Sequence, residues 1–157
     1  MSSEVVISVG SNVNYGNVAK ACGWLTTVLE NAYCSSLYET PAVNGKGRSY
    51  VNAVVSGCIN SDLDQFNMIL KEYEISAGRD DSCRKAGIVP IDIDIVIFKG
   101  EVIREWDYRQ TFFKIGYSEL AGSVVKSYCD YEIYEVRYPH SHPGRCHTGD
   151  SKLTRNS

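Results

Sequence analysis

Between Ile91 and Phe98 the chain reads Ile-Asp-Ile-Asp-Ile-Val-Ile-Phe, the strongest strand signal in the sequence. Side chains on a strand alternate between the two faces of a sheet. Ile91, Ile93 and Ile95 therefore share one face, and Asp92 and Asp94 share the other. Aspartate is depleted in strands, and two on one face repel unless a cation lies between them. A half-buried edge strand with a solvated acidic face would also carry this pattern. Paired hard oxygen ligands that leave positions open for phosphate and water are, in addition, what Mg²⁺ sites for nucleotides use.

The elements before this strand set its context. Glu4 to Gly10 is a β-branched run ending in glycine, a strand signal. Val18, Cys22, Leu25 and Leu29 then repeat at three- and four-residue steps and predict a helix with one apolar face. Ala32 to Thr40 reads as a strand stopped by Pro41, Asn44 to Arg48 as a loop, and Tyr50 to Ile59 as a further strand. Ser61 and Asp62 can cap a helix whose face is Leu63, Phe66, Ile69, Leu70 and Tyr73, ending near Gly78. Arg79 to Gly87 reads as a polar loop, and Lys99-Gly100 as a turn into Glu101-Val102-Ile103. The order is β-α-β-β-α-β with an extra hairpin. It predicts the ferredoxin-like α+β plan, with helices on one face of a mostly antiparallel sheet.

Composition removes other classes. The chain has 157 residues and a formal net charge of −3, which suits one domain with a real core. No apolar run approaches the ~18 residues of a membrane span. Glu4 stands where a secretory signal would need basic residues, so a cytoplasmic location is expected. A pI near 5.6 argues against nucleic acid as a partner, and nothing in the sequence demands more than a monomer. The six cysteines are scattered without a Cys-x-x-Cys pair, and reduced thiols are expected. His140, His142, Cys146 and His147 fit no closed zinc-site spacing.

At this point the sequence resembles the 6-hydroxymethyl-7,8-dihydropterin pyrophosphokinase family. The matching pieces come in order: Val9-Gly10-Ser11-Asn12, Ser36-Leu37-Tyr38-Glu39-Thr40-Pro41, Tyr50-Val51-Asn52-Ala53-Val54, Glu74, Gly78-Arg79, and Asp92-Ile93-Asp94-Ile95. The resemblance covers about residues 4–104, thins towards 120 and is not seen beyond. It implies a pyrophosphokinase-like domain at 1–120; the segment 121–157 is divergent and, with a polar end that lacks apolar anchors, is expected to be partly mobile. It implies transfer of diphosphate from ATP, the co-substrate, to the pterin's hydroxymethyl oxygen, with AMP released. Asp92 and Asp94 would hold two Mg²⁺ ions, and Arg79 would join them in catalysis. Thr40, Pro41, Val43, Tyr50, Asn52 and Phe112 match the pterin pocket, and Glu74 and Arg79 the nucleotide side. Each residue also admits a plainer role. Tyr50 could pack on the sheet, Asn52 could satisfy local backbone, Arg79 could be a surface charge, and Gly10-Ser11-Asn12 could be a turn.

The departures from the family concentrate on the cations. A tryptophan position is occupied by Ala86, and arginine positions by Val89, Asp81 and Gln110. Losing one transition-state arginine in phosphoryl transfer costs ~10³–10⁵ in rate. Arg84, Lys85, Arg104, Arg109 and Lys114 are the candidates to replace that charge. A divergent and slow pyrophosphokinase is therefore expected. The alternative is a catalytically silent pterin- or nucleotide-binding protein of the same fold. A ferredoxin-like RNA-binding module would need aromatics in a basic strand motif, which these strands lack.

Overall fold

The structure is a computed structural model that describes residues 2–122 and the backbone of a short strand at 133–134. Its elements run β1 (Ser3–Ser11), α1 (Tyr15–Val28), β2 (Glu30–Cys34), β3 (Leu37–Thr40), β4 (Tyr50–Ile59), α2 (Leu63–Ser76), α3 (Asp81–Ala86), β5 (Asp92–Phe98), β6 (Glu101–Val102), α4 (Glu105–Arg109), α5 (Thr111–Leu120) and β7 (Ile133–Tyr134). The sheet order is β6-β5-β1-β4-β3-β7, with β2 also on β4. Every pairing is antiparallel. With β1 central between β4 and β5, this is the ferredoxin-like arrangement the pattern predicted.

The helices start where local chemistry offers a partner for unpaired N–H groups. Asn14 accepts from the Asn17 N–H at 2.8 Å to open α1, and Asp62 accepts from Gln65 at 2.8 Å to open α2. Helices α1 and α2 cover one face of the sheet. Val18, Ala21, Cys22 and Leu25 of α1, with Phe66 and Leu70 of α2, pack there on Val5, Ile7, Val9, Ile91, Ile93 and Ile95. Ile69, expected on the packed face of α2, is instead 40% exposed. A second, smaller cluster lies on the opposite face, where Phe113 meets Val6, Val54 and Val96. Strand β4 lies beneath both clusters and is buried at nearly every position, the pattern of a strand covered on both sides.

Three local readings are corrected. The segment 79–87, expected to be a loop, contains the single-turn helix α3, because Asp80 accepts from the Cys83 N–H at 2.9 Å and Gly87 closes it at φ 70°. The strand expected at 32–40 is broken. Between β2 and β3 the Ser35 hydroxyl accepts from the Val54 N–H at 2.9 Å, so the side chain replaces a ladder bond. Cys34 and Cys83 are free thiols, but Cys58 is disulfide-bonded, a pairing that spacing alone does not reveal. The histidine-rich segment and the expectation of mobility beyond 121 lie outside the described residues, apart from the backbone of β7. Among the described residues no helix is long and apolar enough to cross a membrane.

Candidate active site

Asp92 and Asp94 project from the face of β5 opposite α1 and α2. They stand over Gly10 and Ser8 of β1 in register. Beyond β1, Gly10 pairs with Asn52 of β4, and Asn52 with Tyr38 of β3. One row across three strands thus carries the acidic pair to the amide. A Cβ at Gly10 would come within 3.2 Å of the Asn52 Oδ1, so glycine leaves room for that carboxamide. Asn52 is buried, and its amide nitrogen donates to the Thr40 Oγ1 at 2.8 Å. The plainer role foreseen for it, satisfying local backbone, is partly real: the same nitrogen also donates to the Tyr50 carbonyl at 3.3 Å.

An open cleft of about 1590 Å³ lies over this row. The residues matched to the metal, nucleotide and pterin sites all line it: Asp92, Asp94, Arg79 and Glu74, with Thr40, Pro41, Val43, Tyr50, Asn52 and Phe112. Phe112, on the first turn of α5, is held from below. The buried Tyr38 hydroxyl donates to the Phe112 carbonyl and accepts from the Gly116 N–H at 3.0 Å. Trp106 on α4 stands beside it, 58% exposed, with its ring 6.1 Å from that of Phe112 and tilted by 49°.

The acidic end is a network. Glu74 is buried, and its Oε2 accepts from the Ile93 N–H at 2.7 Å and from the Lys71 ammonium at 3.0 Å. Its Oε1 accepts from Arg79 at 3.1 Å. Arg79 also reaches Asp92 Oδ1 at 2.8 Å and the Ile91 carbonyl at 3.2 Å. Lys71 reaches Asp94 Oδ1 at 3.0 Å and the Ile93 carbonyl at 2.9 Å. Three side chains of the α2 region thus take up backbone groups on the edge of β5, which β6 pairs only at Ile97 and Phe98. Arg104 lies 3.9 Å from Asp94 and 3.3 Å from the buried Asp107.

These neighbours split the pair electrically. Burial, and then the charge of Asp94, push the Asp92 carboxyl up to about 6. Burial also raises Asp94, but Lys71 and Arg104 outweigh it and hold that carboxyl below the usual range. Burial and the Asp92 charge raise the Tyr50 phenol. The donor set fits a hard divalent cation. Among the described residues no third Asp, Glu, His or Cys joins a cluster able to hold a metal, so a cation held by the pair would have positions left for other oxygen donors.

The resemblance left Lys71 and Trp106 out. Lys71 looks like any exposed helix lysine until α2 is laid along β5, and Trp106 follows a hairpin with no motif of its own. Of the cations considered as replacements, Arg104 and Arg84 line the cleft. Arg109 pairs with Glu105 at 2.9 Å, and Lys114 lies over the Tyr108 ring. The Ser11-Asn12 turn shapes the loop where Val89 stands. Asn12 accepts from the Val89 N–H at 2.7 Å and donates to the Gly87 carbonyl at 2.8 Å.

A carboxylate pair among guanidinium and ammonium groups, beside a shelf of aromatic and amide side chains, suits a protein that handles a polyphosphate and a flat heterocycle together. Sequence comparison agrees. The family described as 7,8-dihydro-6-hydroxymethylpterin-pyrophosphokinase (HPPK) matches residues 6–142, and the chain belongs to that family. The match runs well past residue 120, where the resemblance was expected to end. No curated protein matches the chain.

Proposed function

We propose that the chain transfers diphosphate from ATP to the hydroxymethyl oxygen of 6-hydroxymethyl-7,8-dihydropterin. The hydroxyl oxygen forms a bond to the β-phosphorus, the bond between the α- and β-phosphoryl groups breaks, and AMP leaves. The observation that carries this reading is the same-face pair Asp92 and Asp94, set in one cleft with Asn52, Tyr50 and Phe112. Mg²⁺ held by the pair would supply charge neutralisation to the phosphates and the attacking oxygen.

The chain's own residues do the positioning, which is most of the work in phosphoryl transfer. Phe112 and Tyr50 offer faces to the pterin ring. Asn52 offers an amide oxygen, and Thr40 and Pro41 close the far wall. Arg79, fixed through Glu74 to α2, holds Asp92 and places a cation at the phosphate end. Arg104 and Arg84 supply charge that Val89 and Asp81 do not, which favours a working enzyme over a silent binding protein.

The test is AMP release from the full chain with MgATP, with and without the pterin. Pterin-dependent AMP is expected, and Asp94→Ala should abolish it. Pterin binding with no AMP formed would instead establish the silent binding protein.

A further inference from the structure

The Lys71 ammonium has three donors, and each has a partner: Asp94 Oδ1 at 3.0 Å, Ile93 O at 2.9 Å and Glu74 Oε2 at 3.0 Å. Only one of these is a candidate metal ligand. The Ile93 carbonyl belongs to β5, and Glu74 is buried and tied to the Ile93 N–H and Arg79. Two bonds therefore hold the ammonium in place whatever occupies the cleft. It stands against Oδ1 of Asp94, one of the two oxygens that side chain could offer a second divalent ion. Arg104 adds positive charge from the other side, 3.9 Å from the same oxygen. Asp92 is also paired, with Arg79 at 2.8 Å, but it has that one cation against two at Asp94 and is the more exposed carboxylate of the two.

Four carboxylates (Glu74, Asp92, Asp94 and Asp107) face three cations (Lys71, Arg79 and Arg104) in this network, so one negative charge remains before a nucleotide adds its own. A second ion at Asp94 Oδ1 would meet the ammonium at close range and be repelled.

We propose that Lys71 is a built-in counter-cation of Asp94, so that the aspartate pair takes one divalent ion with the nucleotide rather than the two the resemblance implied. The proposal rests on reading Asp92 and Asp94 as metal ligands. It makes Lys71 a positioning residue, since it acts on the phosphates through Asp94.

The test counts ions. The full chain is titrated with Mn²⁺ in the presence of α,β-methylene ATP, and bound Mn²⁺ per ternary complex is obtained from the paramagnetic resonance of the free ion. One Mn²⁺ is expected for the wild type, two for Lys71→Gln, and one again for Lys71→Arg, which keeps the charge. Two ions on the wild type overturn the proposal while leaving the metal reading intact. One ion on a folded Lys71→Gln also overturns it. An ion count and Mn²⁺ affinity unchanged in Asp92→Ala/Asp94→Ala would mean that the analogue alone holds the ion, and overturns both. Were Lys71→Gln not to fold, the wild-type count of one or two would still decide between the proposal and its failure.

Discussion

Glu74 is 5% exposed, and both its oxygens are committed to Lys71, Arg79 and the Ile93 N–H. Removing it takes one partner from each of two cations and leaves the Ile93 N–H unpaired. Both cations are partly solvated, at 39% and 34%, so Glu74→Ala should cost less than a fully buried pair, about 2 kcal/mol. Urea unfolding midpoints would measure it. The acidic pair gives a pH signature in metal-free protein. Asp92 holds its proton up to about 6, against 3.8 ordinarily. Between those values folding takes up a proton, so this group makes the fold more stable as pH falls through 6. Asp94, held low, contributes stability that is present above 3.8 and lost only as pH falls further. Thermal midpoints in a chelator should therefore rise from about pH 7.5 to about pH 5, and Asp92→Asn should flatten that rise.

Gly116 shows how tightly α5 lies on the sheet. A Cβ there would meet Val54 Cγ2 at 2.7 Å and the Ser35 and Tyr38 oxygens at 2.9 Å. Alanine is the better helix former by roughly 0.8–1.0 kcal/mol, yet Gly116→Ala should destabilise by about 1–3 kcal/mol through overpacking. Because Phe112 rides on the same helix, the variant should also raise the KM for the pterin more than that for ATP, read from steady-state AMP release. At this scale the sequence was legible where period and caps agree. Val18, Cys22 and Leu25 mark α1, and the alternation at 91–98 marks β5. It was not legible in α5, whose Phe-Phe and mid-helix glycine give little helical preference. Only packing on β4 settles that segment. Helix α3 escaped for a related reason: it buries no residue, so no apolar period announces it.

The cleft is assembled from stretches far apart in the chain: the end of β1, the β3–β4 connection, the turn after α2, and α4–α5. No periodicity shows that these meet. Only the ordered resemblance brought Asn52 and Asp92 into one site, and it omitted Lys71, whose contacts depend on how α2 lies against β5. Two glycine-containing loops flank the opening, with Gly45 and Gly47, and Gly78 and Gly87, at positive φ. An Mn²⁺ complex of a non-hydrolysable ATP analogue, bound together with the pterin, should slow hydrogen exchange at 42–48 and 78–90 while leaving β1 and β4 unchanged. One further consequence follows from the side chains along β5. An open strand edge with alternating isoleucines is a template on which a second chain can add itself. Here Arg79, Glu74 and Lys71 already occupy the Ile91 and Ile93 backbone groups. These charged side chains thus also guard solubility, and a chain stripped of them would have a ready site for polymerisation.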